Sequence, residues 1–166
     1  ALMVVWGPHG PTVVQVSEGT SALTLNIRLG TLFSVTGTAS GRVFGAFSAP
    51  QGMDRLIDLE LNGQSRSHSV GNIPPRETYH GAVRKAVRCG YAETVGAPIP
   101  GINAVSAPVF GSQGKLQLAI TLIGRTEDMP VSKNSEAVTK LLTVTSGLSE
   151  ESNGAVAPNN EVALLA

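Results

Sequence analysis

The pattern of apolar and polar positions in the first part of the chain is typical of β-strands. Residues Leu2 to Trp6 and Thr12 to Val16 are rich in β-branched and other apolar side chains, and the segment between them consists mainly of Gly and Pro. Because such residues favour a turn, the two segments are predicted to pair as a hairpin. Apolar and polar residues then alternate from Leu23 to Leu29, where a further half-buried strand is expected.

Apolar residues at helical spacing dominate the middle of the chain. Small and polar residues from Thr36 to Gly41 lead into an apolar stripe that ends at Phe47, which predicts a helix beginning within the small-residue segment. A short helix is predicted over Met53 to Leu61. The clearest stripe begins at Tyr79 with spacing i, i+3, i+4, i+7 and i+8, and it predicts a helix over residues 75–89.

The second half returns to strands before a final helix. Tyr91 to Thr94 is predicted as a short strand, and Ile102 to Phe110 as a longer one. A Gly-rich turn then leads into a strand over Lys115 to Gly124, which gives a second hairpin. Ser132 is expected to cap the last helix, and residues 149–166 have the polar composition of a flexible tail. This order predicts an α+β domain with helices packed on an antiparallel sheet.

The charge balance disfavours several classes of partner for this chain. Lys and Arg number 12 against 12 Asp and Glu, and charged residues make up 14% of the 166 residues, where soluble domains average about 25%. A domain that holds a phosphate backbone or an anionic membrane needs clustered cationic charge, so direct DNA binding and membrane binding are disfavoured. Cys89 is the only cysteine, so no intrachain disulfide can form, and a cytoplasmic location fits best.

Catalytic and metal-binding motifs do not stand out in the sequence. The chain has no nucleophile elbow, phosphate-binding loop or dinucleotide fingerprint. The acidic residues Asp54, Asp58 and Glu60 are interpreted as the solvated side of a short helix. No metal-ligand spacing connects the histidines, so neither a metal nor a cofactor is expected. These histidines are His9, His68 and His80.

The strongest candidate for chemistry is the predicted helix entrance between Thr36 and Gly41. The first N–H groups of a helix lack intrahelical partners, and small residues there let a carboxylate approach the backbone. Thr121, Ala104 and Ser106, in phase on two neighbouring strands, could form the opposite wall of such a site. The alternative is that a threonine at the entrance only caps the helix while the glycines allow close packing.

Three motifs resemble the effector-binding domain of IclR-type bacterial transcription regulators. Residues 36–47, TGTASGRVFGAF, resemble that family's TAxGKAFLA segment, and residues 84–91, RKAVRCGY, resemble its IRxxGYA stretch. Residues 100–124 are similar to GVxxIAAPVFDxxGxVVAALSISG. The motifs occur in the family's order and at about its separations.

This resemblance implies a GAF/profilin-like domain over residues 1–148, in which a curved antiparallel sheet and flanking helices enclose a small-molecule pocket. Residues 149–166 would then be a flexible C-terminal tail. In the family, a winged helix-turn-helix domain precedes this one, and dimers or tetramers bind operator DNA through it. No counterpart of that DNA-binding domain is expected within these 166 residues.

The resemblance also implies a set of effector contacts. The backbone N–H groups of Ala39 and Ser40, flanked by Thr38 and Gly41, would hold a carboxylate. Several positions depart from the family pattern and leave the pocket with fewer polar partners, which favours a small aromatic or branched organic acid. The losses are the acid that many members have at the position of Thr94 and one hydroxyl at Ile123. Ala104 falls where a Cys or similar residue can lie, Thr121 and Ile123 fall where two serines are frequent, and Ser106 completes the predicted contacts.

Two other functions remain open at the level of the sequence. One is a GAF-like enzyme that uses Cys89 or His80, and the other is an oligomerisation module with a degenerate pocket. Arg42 lies where the family often has Lys, and its place in the second helical turn would let it face solvent.

Overall fold

A five-stranded antiparallel sheet organises the chain. The computed structural model describes residues 1–19, 26–48, 50–64 and 70–154. The strands are β1 (Leu2–Gly7), β2 (Gly10–Val16), β3 (Ala92–Thr94), β4 (Ile102–Phe110) and β5 (Leu116–Arg125), in the spatial order β2-β1-β5-β4-β3. The α-helices are α1 (Ala39–Phe47), α2 (Met53–Leu61), α3 (Arg76–Cys89) and α4 (Glu136–Gly154). The predicted α+β class is confirmed.

Both predicted hairpins form. In the first, β1 pairs with β2 through a turn that closes at Gly7 and Gly10. In the second, β4 pairs with β5 across a turn in which Gln113 and Gly114 both have positive φ, 63° and 67°. Since β1 also pairs with β5, the two hairpins join into one continuous sheet with β2 and β3 at its edges.

Each face of the sheet packs against a different set of helices. Ala119 and Ile123 of β5 belong to the core beneath α1 and α3, where Phe44 is fully buried. Ile120 and Leu122, which alternate with them, pack on the opposite side against α4. Because side chains alternate along β5, the face that carries Ala119, Thr121 and Ile123 points towards α1.

The predicted strand over residues 23–29 is wrong in the part that the structure describes. Residues 26–28 have no regular structure, and Leu29 lies in a turn with 68% of its surface exposed. Arg28 and Thr31 close this turn, because the backbone N–H of Arg28 donates to Thr31 Oγ1 at 3.0 Å and the N–H of Thr31 donates to the Arg28 carbonyl at 3.0 Å. Residues 20–25 lie outside the described part.

The last helix differs from its prediction at both ends. It begins at Glu136 rather than after Ser132, and Ser135 Oγ accepts a hydrogen bond from the N–H of Val138 at 3.4 Å. It continues to Gly154, so residues 149–154 are helical and not part of a tail. Ser149 contributes to this extension because its hydroxyl accepts from the N–H of Phe110 at the end of β4, at 2.9 Å. Residues 155–166 lie outside the described part.

Candidate ligand-binding site

The entrance of α1 is a capped helix start with free backbone donors. Thr38 is the N-cap residue, and its Oγ1 accepts from the N–H of Gly41 at 3.0 Å and donates to the Ser34 carbonyl at 2.8 Å. The N–H groups of Ala39 and Ser40 have no acceptor within the residues that the structure describes. Both residues are buried. A carboxylate placed here would meet two unpaired donors and the positive end of the helix dipole.

The sheet supplies the opposite wall. In the strand register Thr94 pairs with Ala104, and Ala104 pairs in turn with Ile123. Ser106 pairs with Thr121 on the same two central strands. Residues directly opposite each other share a face of the sheet, so all of these side chains lie on the side that faces α1.

Hydrogen bonds between hydroxyl groups join the helix to this wall. Ser40 Oγ lies 2.8 Å from Thr121 Oγ1, and Thr121 Oγ1 donates to Ser106 Oγ at 2.8 Å. The three residues are fully buried. The chain of hydroxyls therefore satisfies its own polar atoms and fixes α1 on the sheet.

A cavity of about 40 Å³ lies between the helix entrance and the sheet. At the 10–15 Å³ that one enclosed water needs, this space holds roughly three waters. Seven of the nine residues predicted from the sequence line it together: Thr38, Ala39, Ser40, Thr94, Ala104, Thr121 and Ile123. The rest of the wall is apolar and comes from Ile27, Phe33, Val70, Ala97, Pro98, Ile99 and Ile102.

The other two predicted residues support the cavity without lining it. An added Cβ on Gly41 would lie 2.2 Å from the Ser34 carbonyl oxygen and 2.5 Å from that of Val35. Gly41 thus allows the helix to pack closely on the preceding turn. This is the role that the alternative interpretation of the helix entrance gave to its glycines. Ser106 lies behind Thr121 and holds its hydroxyl.

Most of the apolar lining was not recognised from the sequence. Ile27, Phe33 and Val70 come from irregular connections, and only an isolated bridge between Phe33 and Val70 holds two of them in register. Pro98 and Ile99 lie in the Gly- and Pro-rich loop before β4. The one local signal was the presence of apolar side chains in that otherwise turn-like loop.

Thr94 has an unusual environment within the cavity wall. Thr94 is 4% exposed, and its Oγ1 has no hydrogen-bond partner within the described part of the chain. A buried hydroxyl without a partner costs about 1–3 kcal/mol. A polar group placed beside it in the cavity would satisfy this atom.

Arg42 does not face solvent, contrary to the expectation from its helical position. Its Nε donates to the Thr36 carbonyl at 3.2 Å, and its Nη1 donates to the Glu93 carbonyl at 2.7 Å. Burial lowers the pKa of Arg42 from its ordinary value, and the negative charge of Glu93 opposes this effect. The guanidinium reaches backbone carbonyls on two elements, which is why it turns inward.

The interpretation of the acidic residues of α2 as a solvated face holds for Asp54 and Asp58 but is wrong for Glu60. Asp54 and Asp58 are exposed, and Asp58 pairs with Arg76 at 3.1 Å. Glu60 is 6% exposed. Its carboxylate accepts hydrogen bonds from two hydroxyls and two backbone amides in the turn before α1: from Ser34 Oγ at 2.7 Å, Thr36 Oγ1 at 2.6 Å, Val35 N at 2.9 Å and Thr36 N at 2.9 Å. These four donors compensate the burial of the charge.

The residues of the open enzyme alternative lie outside this cavity. Neither Cys89 nor His80 contributes to its lining. Among the described residues, no group of three or more His, Cys, Asp or Glu side chains could hold a metal ion. His68 lies outside the described part. The helices that the structure describes include none with the length and apolar character needed to cross a membrane.

Comparison with known proteins identifies the family. Residues 7–150 match the model of the bacterial transcriptional regulator IclR C-terminal domain. The chain belongs to the IclR family. The IclR C-terminal domain is the part of these transcription regulators that generally binds their effectors.

Solved structures of IclR proteins share this fold. HmgR from Pseudomonas aeruginosa is 27% identical, with a TM-score of 0.78 over 91% of this chain and 58% of that one. An IclR regulator from Alicyclobacillus acidocaldarius is 23% identical, with a TM-score of 0.72 over 92% of this chain and 60% of its own. The IclR protein of Thermotoga maritima is 19% identical, with a TM-score of 0.68 over 90% and 58%. The predicted GAF/profilin-like fold is confirmed.

This IclR chain spans about 60% of the length of the Pseudomonas aeruginosa and Alicyclobacillus acidocaldarius proteins. No curated protein matches the sequence significantly.

Proposed function

We propose that this IclR domain senses a short, branched organic acid. The observation that carries the proposal is the presence of unpaired buried donors in one otherwise apolar cavity: the amides of Ala39 and Ser40 on the helix side and the hydroxyl of Thr94 on the sheet side. Few, well-placed polar groups in an apolar pocket are typical of small-molecule sites. The carboxylate would bind the two amides, and a hydroxyl or oxo group would bind Thr94.

The size of the cavity favours an aliphatic body over an aromatic one. A space for about three waters corresponds to roughly 90 Å³ of liquid, at about 30 Å³ for each water. This accommodates a short branched acid, whereas an aromatic ring with its carboxylate needs more room. Ile99, Ile102 and Ile123 would contact the apolar body.

In the whole regulator, the effector would act by preferring one conformation of the domain. The cavity is lined by residues of α1, of β3 to β5 and of the connections that carry Ile27, Phe33 and Val70. A ligand that binds one arrangement of these segments more tightly shifts the population towards it. In a cytoplasmic homodimer or tetramer, this shift would bias a separate N-terminal domain that contacts DNA. DNA contact is assigned to that separate domain because the near-neutral charge of this chain suits sensing better than phosphate binding.

Ligand-induced stabilisation tests the proposal. Isobutyrate and 2-hydroxyisobutyrate are added at millimolar concentrations and the melting temperature is measured. At a hundredfold excess over Kd, binding stabilises the folded state by about 2.7 kcal/mol, which raises Tm by roughly 5–10 °C for a domain of this size.

Substitutions at Ala104 locate the binding site. Ala104→Leu fills the cavity and is expected to abolish the stabilisation, whereas Ala104→Ser leaves the space open and retains it. Absence of stabilisation by any short carboxylate, or equal stabilisation of the Leu variant, contradicts the proposed site.

A further inference from the structure

The guanidinium of Arg42 connects the two walls of the proposed ligand site. One of its hydrogen bonds goes to the carbonyl of Thr36, two residues before the cap Thr38, and the other goes to the carbonyl of Glu93, the residue directly before Thr94. Arg42 itself lies on α1, one turn after the free amides. The same side chain therefore touches the backbone next to each set of donors in the cavity.

The strand that carries Thr94 is short and lies at the edge of the sheet. β3 has three residues and is an edge strand that, among the described residues, pairs with β4 alone. Its distance from α1 is therefore not fixed by a ladder on its other side. The planar guanidinium holds two acceptors in a fixed geometry, which a lysine with its single ammonium group cannot reproduce.

Arg42 does not act as the ion-pair partner of Glu93. The Glu93 carboxylate pairs with Lys85 on α3, while Arg42 binds the Glu93 main-chain carbonyl at 2.7 Å. The contact with Arg42 thus holds the backbone of β3, while the Glu93 carboxylate forms its ion pair with Lys85.

We infer that Arg42 is a positioning residue of the ligand site, which sets the separation between the amides of α1 and the hydroxyl of Thr94. This inference rests on the proposed function. Its consequence is selectivity: with Arg42 in place, an acid can use both sets of donors at once. Without it, β3 keeps its pairing with β4 but loses its hydrogen bond to α1, and the second polar group of the ligand no longer meets Thr94 in the same geometry.

A matched pair of acids measures this effect. 2-Hydroxyisobutyrate differs from isobutyrate by one hydroxyl, and the ratio of their Kd values reports the contact with Thr94. We expect wild-type protein to prefer the hydroxy acid by about fivefold, the value for one buried hydrogen bond, and Thr94→Val to lose the preference. Arg42→Gln and the more conservative Arg42→Lys are expected to reduce the preference threefold or more, while Arg88→Gln, the same exchange at an exposed position of α3, keeps it.

The outcomes separate this inference from the proposed function. If wild-type protein binds neither acid, the proposed function fails. If wild-type protein shows the preference and the folded Arg42→Lys or Arg42→Gln protein retains more than a third of it, the positioning role of Arg42 is overturned. A loss of stability alone would weaken both acids equally and leave the ratio unchanged, so an unchanged ratio identifies a purely structural role and also overturns the inference.

Discussion

The carboxylate of Glu60, on α2, accepts a hydrogen bond from the hydroxyl of Thr36 at 2.6 Å, although Thr36 lies in the turn on the other side of α1. The same carboxylate also accepts hydrogen bonds from the N–H groups of Val35 and Thr36. The turn before α1 is thus built around an internal anion. The amides further along, those of Ala39 and Ser40, have no such partner among the described residues, so a ligand carboxylate would find its donors there.

Replacement of Glu60 should destabilise the domain strongly. Glu60→Gln substitutes an amide nitrogen for one carboxylate oxygen and leaves buried donors facing a donor, so we expect a loss of about 2–3 kcal/mol in the free energy of unfolding. Urea denaturation monitored by circular dichroism measures it. Asp58→Asn, on the exposed side of α2, should change the free energy by less than about 0.5 kcal/mol. Similar effects of both substitutions would contradict the role given to Glu60.

The same substitution at two threonines of the sheet should have opposite effects. Thr94→Val removes a buried hydroxyl without a partner in the described structure, and we expect it to stabilise the ligand-free protein by about 1 kcal/mol. Thr121→Val breaks the hydroxyl chain to Ser40 and Ser106, and we expect a loss of about 1–2 kcal/mol. Thermal unfolding of the two variants compares them directly. Destabilisation by Thr94→Val would show that its hydroxyl has a partner after all.

Two glycines of helices should respond differently to a methyl group. In Gly41→Ala the new Cβ meets the carbonyl oxygens of Ser34 and Val35 at 2.2 and 2.5 Å, so the helix must move, at a cost of about 3 kcal/mol. In Gly147→Ala, on α4, the Cβ has no atom within 4 Å, and the gain in helix propensity should stabilise by roughly 0.8 kcal/mol. Denaturation midpoints show whether each variant is less or more stable than wild type. An unchanged stability of Gly41→Ala would refute the close packing at the entrance of α1.

The stability of the domain should fall in the alkaline range because of Tyr79. Burial raises the pKa of Tyr79 to about 12, and the charge of Glu60 adds to this effect while Arg42 opposes it. The unfolded chain, with a tyrosine pKa near 10, releases the proton first, so stability declines as pH rises from about 10 to 12. Tyr79 contributes up to about 2 kcal/mol of this decline.

The variant Tyr79→Phe isolates this contribution. Free energies of unfolding are measured for wild type and variant between pH 9 and 12. The wild-type curve should fall more steeply than that of the variant, and parallel curves would exclude a raised tyrosine pKa.

The elements predicted correctly from the sequence are those with a local cause. β4 has the predicted bounds Ile102–Phe110, and α3 begins one residue after its predicted start, at Arg76. In both segments periodicity and flanking Gly or Pro residues specify the structure without help from distant parts of the chain. The motif-based site residues converge for a similar reason, because strand register brings Thr94, Ala104 and Ile123 to one face.

The features that were missed depend on tertiary contacts. Nothing near Glu60 in the sequence shows that its four donors come from residues 34–36, more than twenty positions earlier. The inward turn of Arg42 depends on a carbonyl of β3, and the extension of α4 depends on a contact between Ser149 and β4. The apolar lining of the cavity was missed because Ile27, in a predicted strand that does not form in the described residues, and Val70 lie in irregular connections.

The pairing of β1 with β5 has a consequence for how the protein is made. Leu2 to Val4 pair with Ala119 to Thr121, so the ribosome must synthesise nearly the whole described chain before β1 has its neighbour. At 5–20 residues per second this takes roughly ten seconds. During that time the β1–β2 hairpin has its local partner only, and one edge of β1 is open to other chains. Until β5 leaves the exit tunnel, this edge of β1 lacks the strand that covers it in the folded domain.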